Sequence, residues 1–479
     1  MKPFSLSKDR DYSNRLADRM IKRSKDLETM LGEPKKAIKS MLMPLVISYL
    51  VIQLNLFVDT FWTSGLGVHV SSAVSTISPV YWMIAASGTG LGVGASSTIA
   101  FRLGQADYER SSVLAGNTLI LGMVFSLISS AIVGILIGPV IELIGAGDIY
   151  QECMDYVFPF VIMSWALILN GIVAGLLRSE GAANKSMIVL LITAGVNMAL
   201  DPILIYVLDW GIFGAGMATS ISSLVATVLG LYWYAGGHMV ISLNRRSFRP
   251  SKEAMKEVLV VGGPKTAESI INNIINMVQR VFFIIATGTV GIMLYNVPWR
   301  YVALGEVPIN ALGAALIPVC SSSLGQGSPE KVNTAVYYSA KLTIFITLIL
   351  AAIMFVFAEP LISVFTTSES MAAETERLIW VLRMYALILP ATGFTILGNS
   401  ILQAMKKSSL VTMLMLGWGL LKLACYAVAC QYSFETIIEV MVALMYLNAV
   451  VMMILALREV RKKHTTSCPA HFANEDVVR

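Results

Sequence analysis

Two aspartates stand inside apolar stretches of this chain, and each follows an asparagine by four residues. Asn55 and Asp59 lie in a run over residues 41–64, and Asn197 and Asp201 repeat the pattern in a later run. A run of this length can cross the roughly 30 Å hydrocarbon core of a bilayer as a helix. An aspartate at the centre of such a helix costs about 2.5–3.5 kcal/mol even on insertion-based scales, so each acid indicates a functional site. The spacing places each asparagine on the same helix face as its aspartate.

Binding of a proton or a small cation is the chemistry that suits these residues. Asp59 and Asp201 each fall about two-thirds of the way along a predicted span of the same direction, so we expect them at similar depth and facing each other. Two carboxylates in a low-dielectric site cannot easily both be ionised, and such a pair would hold one proton or one sodium ion. Pro202 lacks an N–H, which frees the carbonyl of Met198 to coordinate a cation.

Neutral oxygens from other polar residues of the same half would complete this site. The candidates are Asn55, Asn197, Thr219 and Asn170. For Thr219 and Asn170 an alternative remains open, because such side chains often only join membrane helices through hydrogen bonds.

The second half of the chain carries a different set of charged residues in its apolar runs. Glu268 follows Pro264 near the end of one run, where solvation at the membrane edge is the alternative to a functional role. Arg300 and Glu306 share another run, and we favour the interpretation that they pair with each other or with neighbours and stabilise the fold. The polar positions retained as candidate sites of this half are Glu268, Arg280, Arg300 and Glu306.

The composition is that of an integral membrane protein. Hydrophobic residues make up 56% of the 479 residues and charged residues only 14%, against about 25% charged in soluble domains. The net charge of +5 is spread over short loops, so no nucleic-acid partner is expected. The five cysteines and four histidines show no metal-ligand spacing, and we expect no cofactor. The glycine-rich stretch 88–94 lacks the strand and lysine of a nucleotide-binding loop, and favours close helix packing.

Twelve apolar runs follow a polar N-terminal arm, and we predict a membrane-spanning helix in each. They lie near 41–64, 70–101, 111–138, 153–177, 186–208, 212–235, 258–286, 291–322, 334–358, 378–402, 409–430 and 436–457.

The charges of the connecting loops alternate and predict the orientation of the chain. Loops after even-numbered runs carry basic residues, for example Arg102 and Arg110, whereas loops after odd-numbered runs carry acids such as Glu142 and Asp148. Because basic loops stay on the cytoplasmic side, both termini are expected in the cytoplasm, with the protein in the cell membrane.

An internal repeat divides the chain into two halves. Leu103-Gly104-Gln105, after the second run, corresponds to Leu324-Gly325-Gln326, after the eighth. An even number of spans separates the copies, so the predicted fold is all-α, with two six-helix bundles related by a pseudo-two-fold axis along the membrane normal. The expected segments are a cytoplasmic arm (1–36), an N-terminal lobe (37–237), a cytoplasmic linker (238–257), a C-terminal lobe (258–458) and a cytoplasmic tail (459–479).

The sequence resembles the multidrug and toxic compound extrusion (MATE) family of secondary transporters, in particular its archaeal and related bacterial type. The resemblance extends over about residues 37–458 and depends on four features in this order along the twelve runs. They are Phe57 to Phe61 with Gly65-Leu66-Gly67, Asn197 to Pro202 with Gly211 to Thr219, Gly263-Pro264 with Glu268, and the paired Leu-Gly-Gln elements.

The resemblance implies a specific activity and coupling site. It implies two bundles that face each other across a central cleft and export cationic amphipathic compounds in exchange for H+ or Na+. By the same resemblance, Asp59, Asn197, Asp201 and Thr219 form the coupling site, and these four would hold the Na+ if sodium is the coupling ion. The fourth-span asparagine of that site has only Asn170 as a nearby counterpart, and the tenth run offers Arg383 and no acid between 378 and 402 for a coupling site in the second half.

The expected function is therefore antiport, in a chain that suffices as a monomer, with the lipid bilayer and small amphipathic cations as its partners. The alternative within the same superfamily is a flippase for a lipid-linked anionic substrate, which requires basic residues of the second half to face the cleft. The four residues that decide this are Arg280, Arg300, Lys341 and Lys422. The second alternative, a non-transporting receptor or a membrane-embedded enzyme, is not expected, because no nucleophile, base and metal occur together and the two-fold repeat favours alternating access.

Overall fold

The computed structural model describes residues 24–143, 147–365 and 373–466. Most of the predicted N-terminal arm, 1–23, and part of the predicted tail, 467–479, lie outside the described residues. The described residues form helices joined by short connections, with no strand among them.

The helices are numbered here in chain order. They are α1 (Lys25–Leu31), α2 (Pro34–Ser64), α3 (Val68–Gly104), α4 (Tyr108–Leu143), α5 (Tyr150–Ile162), α6 (Ser164–Ser179), α7 (Ala183–Pro202), α8 (Gly211–Ala235), α9 (Lys252–Thr287), α10 (Thr289–Gly325), α11 (Pro329–Val356), α12 (Ala358–Ser363), α13 (Thr375–Ala404), α14 (Ser408–Ala429) and α15 (Phe434–Thr466). A 3₁₀ turn, Gly147–Ile149, precedes α5, and a π-helical segment, Ile203–Val207, follows α7.

The prediction of twelve spans agrees with this arrangement. Eleven helices of the described residues are long and apolar enough to cross a membrane, and α5 and α6 together form a twelfth, bent by 55°. Successive spans alternate in direction, so the described chain begins and ends at the same end of the bundle. We call that end the terminal face and the opposite end the far face.

The bend between α5 and α6 has an identifiable cause. Pro159 has no N–H to donate, and the helix ends at Met163, whose N–H bonds to the carbonyl of Pro159 at 2.9 Å. The Ser130 hydroxyl, from α4, donates to the freed carbonyl of Val161 at 2.5 Å. A neighbouring helix thus satisfies the polar backbone groups that the break exposes, as the hydrocarbon region requires.

The two lobes meet closely at the terminal face. A Cβ added to Gly104 of α3 would overlap the carbonyl oxygen of Ser322, and a Cβ on Gly325 of α10 would overlap that of Phe101. These glycines belong to the two copies of the Leu-Gly-Gln element, so the repeat seen in the sequence packs against itself. Farther from the terminal face than these glycines, the Ser97 hydroxyl lies 3.2 Å from the Ser321 hydroxyl of the other lobe.

Ion pairs and a short helix complete the closure of the terminal face. Glu257, at the start of α9, accepts two hydrogen bonds from Arg102 of α3, at 3.2 and 3.1 Å, and pairs with Lys406 at 3.1 Å. Helix α1 lies across the junction, with Leu27 and Met30 buried. The carbonyl of Leu31 accepts hydrogen bonds from Gln326 and Lys331 of the C-terminal lobe.

The linker between the lobes, residues 236–251, is fixed to the N-terminal lobe. The buried carboxylate of Glu180 accepts hydrogen bonds from the N–H groups of Val240 and Ile241, at 2.7 and 3.4 Å. The side chain of Asn117 donates to the carbonyl of Arg249 and accepts from the N–H of Ser251, at 3.1 and 2.8 Å. Buried amide and carboxylate groups here satisfy the backbone of an irregular segment.

Candidate functional site

The N-terminal lobe contains a cavity of about 320 Å³ that extends from Asn55 toward the far face. Asp59 of α2 and Thr219 of α8 line it, as the sequence predicts for a common site, and Asn55 lies one turn before Asp59. Tyr81 and Tyr156 close its inner wall together with Phe160, whose ring lies 5.3 Å from that of Tyr81 and 5.1 Å from that of Tyr156. The cavity is thus a polar pocket inside an aromatic and apolar wall.

Asp201 joins this cavity through a hydrogen-bonded chain. Asn197 donates to the Asp201 carboxylate at 3.2 Å, across one turn of α7, and its amide lies 3.4 Å from the Thr219 hydroxyl. Thr219 lines the cavity, whereas Asp201 is fully buried and Asn197 is 2% exposed. The predicted grouping of Asp59, Asn197, Asp201 and Thr219 in one region of the N-terminal lobe is therefore seen in the structure.

The oxygen atoms of this region share a property that distinguishes them from ordinary buried polar atoms. No hydrogen-bond donor among the described residues reaches the following buried acceptors: Asn55 Oδ1, Asp59 Oδ1, Asn170 Oδ1, Asn197 Oδ1 and Asp201 Oδ2. Buried polar atoms in proteins are almost always paired. Four of these acceptors, those of Asn55, Asp59, Asn197 and Asp201, line this cavity or belong to the hydrogen-bonded chain that joins it, and two of the four are carboxylate oxygens. They suit a proton or a small cation.

Asn170 and Pro202 were also expected to contribute to this site. Asn170 donates to Thr193 at 3.0 Å, one turn before Asn197 on α7, and is not among the residues that line the cavity. Its contact fits the alternative interpretation, helix joining. Pro202 ends α7, and the chain continues as the π-helical segment Ile203–Val207, so the local backbone is irregular directly after Asp201.

A second, larger cavity of about 600 Å³ lies between the lobes, mostly on the side of the C-terminal lobe. Glu268 lines it and is 5% exposed, so it is not a solvated residue at the membrane edge. Its carboxylate pairs with Lys265 at 2.8 Å and accepts from Gln403 at 3.4 Å. Glu268 is therefore a buried, paired acid on the wall of this cavity.

The other charged positions of the C-terminal lobe separate into two groups. Glu306 and Lys422 line the same cavity as Glu268. Arg280 and Arg300 are exposed and do not line it, and the Arg300 guanidinium lies over the rings of Phe57 and Phe365, at 5.9 and 5.6 Å. No ion pair joins Arg300 to Glu306 among the described residues, whereas the contact of Arg300 with neighbouring aromatic rings fits the other predicted possibility, pairing with neighbours.

Several residues of these sites carried no signal in the sequence. Tyr81 and Tyr156 are ordinary aromatic residues of apolar runs, and Asn399 and Gln403 lie four residues apart at the end of one helix. That spacing places both side chains on one helix face, but it does not tell which cavity the face reaches.

Comparisons with known proteins agree with this architecture. The family model MatE matches residues 44–203 and 264–428, which cover most of both lobes. The multidrug export protein MepA of Staphylococcus aureus is 27% identical over 333 residues, 69% of this chain and 73% of that protein. Its namesake in Staphylococcus saprophyticus is 25% identical over 388 residues, 79% of this chain and 82% of that protein.

Solved structures share the whole fold. One, described as the outward-facing conformation of a multidrug resistance MATE family transporter of the MOP superfamily, has a TM-score of 0.87 at 28% identity, and the match covers 92% of this chain and 99% of that chain. A MOP superfamily transporter from Pyrococcus furiosus has a TM-score of 0.85 at 29% identity, with the same coverage. With twelve spans in two lobes and a family model that matches both, this chain belongs to the MatE family of membrane transporters.

Proposed function

We propose that this chain is a secondary active multidrug exporter, driven by H+ or Na+ that enters through Asp59 and Asp201. Relatives named multidrug export protein support drugs as the cargo. The expected substrates are small, amphipathic and cationic. The protein would act in the cell membrane with its terminal face in the cytoplasm, and as a monomer, since one chain supplies both lobes.

One observation carries the coupling proposal, namely the orphan acceptors of the N-terminal lobe. Asp59 Oδ1 and Asp201 Oδ2 have no donor among the described residues, and the same holds for Asn55 Oδ1 and Asn197 Oδ1. A buried carboxylate oxygen without a donor is costly, and the cost is removed when the group gains a proton or contacts a cation. The site therefore has a physical reason to bind H+ or Na+.

Binding alone does not drive transport, because the ion must prefer one conformation over the other. The cavity that holds Asp59 extends toward the far face, whereas the lobes are in close contact at the terminal face. An ion from the far side would thus meet Asp59 in this conformation. Release of that ion after the terminal face opens would complete an exchange of ion against drug.

The test uses everted vesicles that contain the wild type, Asp59→Asn or Asp201→Asn. The measured quantity is export of a cationic dye, which in these vesicles is movement into the lumen, energised in turn by a proton gradient and by a sodium gradient. We expect one gradient to drive efflux in the wild type, which identifies the ion. Both variants should lose more than about 90% of this efflux, because an amide cannot exchange a proton or balance a sodium charge.

Asp155→Asn serves as the matched control, since that carboxylate lies on α5, where it accepts a hydrogen bond from Gln151. It should transport like the wild type. Undiminished transport in both Asp59→Asn and Asp201→Asn would contradict the proposal and move the coupling role to Glu268 or Glu306, two acids that line the cavity between the lobes.

The flippase alternative is not favoured. Of the four basic residues that would have to face the cleft, only Lys422 is among the residues that line the cavity between the lobes. Lys341 is exposed, and its ammonium lies 4.6 Å from the ring of Tyr337. The curated relatives are named for drug export.

A further inference from the structure

The cavity between the lobes contains two charges of opposite sign without partners. Lys422 of α14 is 9% exposed. Its ammonium lies 6.0 Å from the centre of the Tyr426 ring. No carboxylate pairs with it among the described residues, although burying an ammonium without a counter-charge is expensive. Its three donors are therefore available to whatever enters the cavity.

Glu306 is the counterpart of Lys422 on α10. Its main-chain carbonyl accepts a hydrogen bond from Asn310 at 3.1 Å, but its carboxylate has no described ion pair. The remaining acid of this wall, Glu268, is already neutralised by Lys265. Arg178, a further cation of the lining, donates to Ser186 at 3.4 Å. The unpaired groups in the C-terminal part are thus one anion and one cation.

Aromatic side chains that line the same cavity suit a flat aromatic body. The Tyr295 and Trp299 rings are stacked at 5.5 Å with an interplanar angle of 16°, and both residues line the cavity together with Trp418. A volume of about 600 Å³ accommodates a drug-sized molecule, because ligand pockets commonly have about 300–1,000 Å³.

From these observations we infer that the cavity is a binding site for amphoteric aromatic compounds, whose anionic group pairs with Lys422 and whose cationic group pairs with Glu306. The inference deepens the proposed export function, on which it rests, by adding a carboxylate or similar anion to the cationic substrate. It assigns to the C-terminal lobe the recognition of the cargo, separate from the ion site of the N-terminal lobe.

The test measures equilibrium binding to purified protein in nanodiscs of zwitterionic lipid, without any gradient. The probes are a rhodamine-type dye with a free carboxyl group and its methyl ester, which differ only in the anionic group, and the signals are dye anisotropy and tryptophan quenching. Because a hydrogen bond to a charged group is strong, we expect the wild type to bind the acid at least about 10-fold more tightly than the ester.

Three variants assign the two charges. Lys422→Met should bind the acid about 10-fold more weakly and the ester as the wild type does, and Lys422→Arg should restore the preference. Glu306→Gln should weaken both dyes by a similar factor, because both carry the cationic group. Lys341→Met, which removes an exposed lysine outside the cavity, is the matched control and should change neither affinity.

Two results would overturn the inference. The first is a Lys422→Met protein, monodisperse and with wild-type affinity for the ester, that still prefers the acid. The second is displacement of the acid from the wild type, and not from Lys422→Met, by anionic lipid added to the nanodiscs, which would make a lipid headgroup the partner of Lys422. Neither result depends on ion coupling, so the efflux experiment on Asp59 and Asp201 can succeed or fail independently.

Discussion

Glu180 holds the linker between the lobes through its carboxylate, which is 1% exposed and accepts from two backbone N–H groups. It lies in the short connection after α6, outside the membrane-spanning segments. Burial raises the pKa of Glu180 from its ordinary value of 4.5 to about 7, and the two backbone hydrogen bonds and nearby Lys185 oppose this only in part. Between these two pKa values the folded protein therefore retains a proton on Glu180 that the unfolded chain has lost.

We predict a pH dependence of stability from this carboxylate. Between about pH 4.5 and pH 7 the folded state binds more protons than the unfolded state, so the contribution of Glu180 to stability falls as the pH rises and is constant above about pH 7. The size is on the order of 3 kcal/mol. Glu180→Gln should lose this part of the pH dependence.

The measurement is the thermal unfolding midpoint of wild type and Glu180→Gln in detergent at pH 5 and pH 8. The unfolding midpoint of the wild type, measured relative to that of Glu180→Gln, should be lower at pH 8 than at pH 5. Glu33→Gln, which alters an exposed carboxylate at the terminal face, is the control. Parallel pH profiles for wild type and Glu180→Gln would show that burial of this carboxylate does not alter its titration.

The sequence indicated the polar residues of the proposed ion site but not the hydrogen bonds that they make. The four-residue spacing placed Asn197 beside Asp201, and the structure shows a hydrogen bond of 3.2 Å between them. The same spacing places Asn55 beside Asp59, yet the Oδ1 atoms of both lack a donor. In both pairs one amide oxygen and one carboxylate oxygen lack a donor among the described residues. The contact of Asn197 with Thr219 comes from α8, and a local pattern contains no information about a neighbouring helix.

At the scale of elements, apolar run length predicted the spans well because it follows from the thickness of the hydrocarbon core. Helix ends and breaks were less accessible. The predicted run 153–177 became two helices with a bend of 55°, and the first span begins at Pro34 rather than near residue 41. Pro159 and Ser130 together decide the break, and the serine comes from a different span. Its hydroxyl could not be assigned to Val161 before the helices were in place.

We predict that Gly325→Ala opens the terminal face. The new Cβ would overlap the carbonyl oxygen of Phe101, which belongs to a helix backbone and cannot rotate away. Overpacking of this kind costs about 1–3 kcal/mol, enough to shift the closed conformation toward the open one by about 5- to 150-fold.

The measurement is maleimide labelling of a cysteine placed at Ser97, which is buried between the lobes, in a background without native cysteines. Labelling from the terminal side should accelerate in Gly325→Ala and in Gly104→Ala. In Gly417→Ala it should stay unchanged, because a Cβ at that helical glycine meets no atom within 4 Å. Equal labelling rates in all variants would mean that the two Leu-Gly-Gln elements do not control closure.

At the scale of the whole molecule, the repeat in the sequence predicted two lobes, and the structure shows why the repeated glycines are needed at their interface. What the repeat could not predict is the asymmetry between the lobes. In the register of the Leu-Gly-Gln elements, Asp59 of the first half corresponds to Arg280 of the second half. Arg280 does not line the cavity between the lobes. Placement of a side chain toward the cleft or away from it depends on helix rotation, which run length and charge patterns leave undetermined.

The last prediction concerns the charges that close the terminal face. Glu257 of the C-terminal lobe faces Arg102 at 3.1 Å and Arg110 at 3.7 Å, both from the N-terminal lobe, with Lys406 beside it at 3.1 Å. In Glu257→Gln the two arginines face Lys406 without the intervening carboxylate, so attraction between the lobes becomes repulsion. Each partly exposed pair is worth about 0.2–1 kcal/mol, so the two pairs that join the lobes should favour closure by about 0.4–2 kcal/mol.

The dependence of the labelling rate on salt distinguishes this prediction from a general loss of stability. Raising the ionic strength screens attraction in the wild type and repulsion in Glu257→Gln, since the screening length is about 10 Å at 0.1 M salt. Labelling of the cysteine at position 97 should therefore accelerate with salt in the wild type and slow with salt in Glu257→Gln. Glu253→Gln removes only the 3.8 Å contact of an 88% exposed carboxylate with Arg110 and leaves Glu257 in place, so it should follow the wild type. A salt effect of the same sign in Glu257→Gln and the wild type would mean that the lobes are held at the terminal face by glycine packing alone.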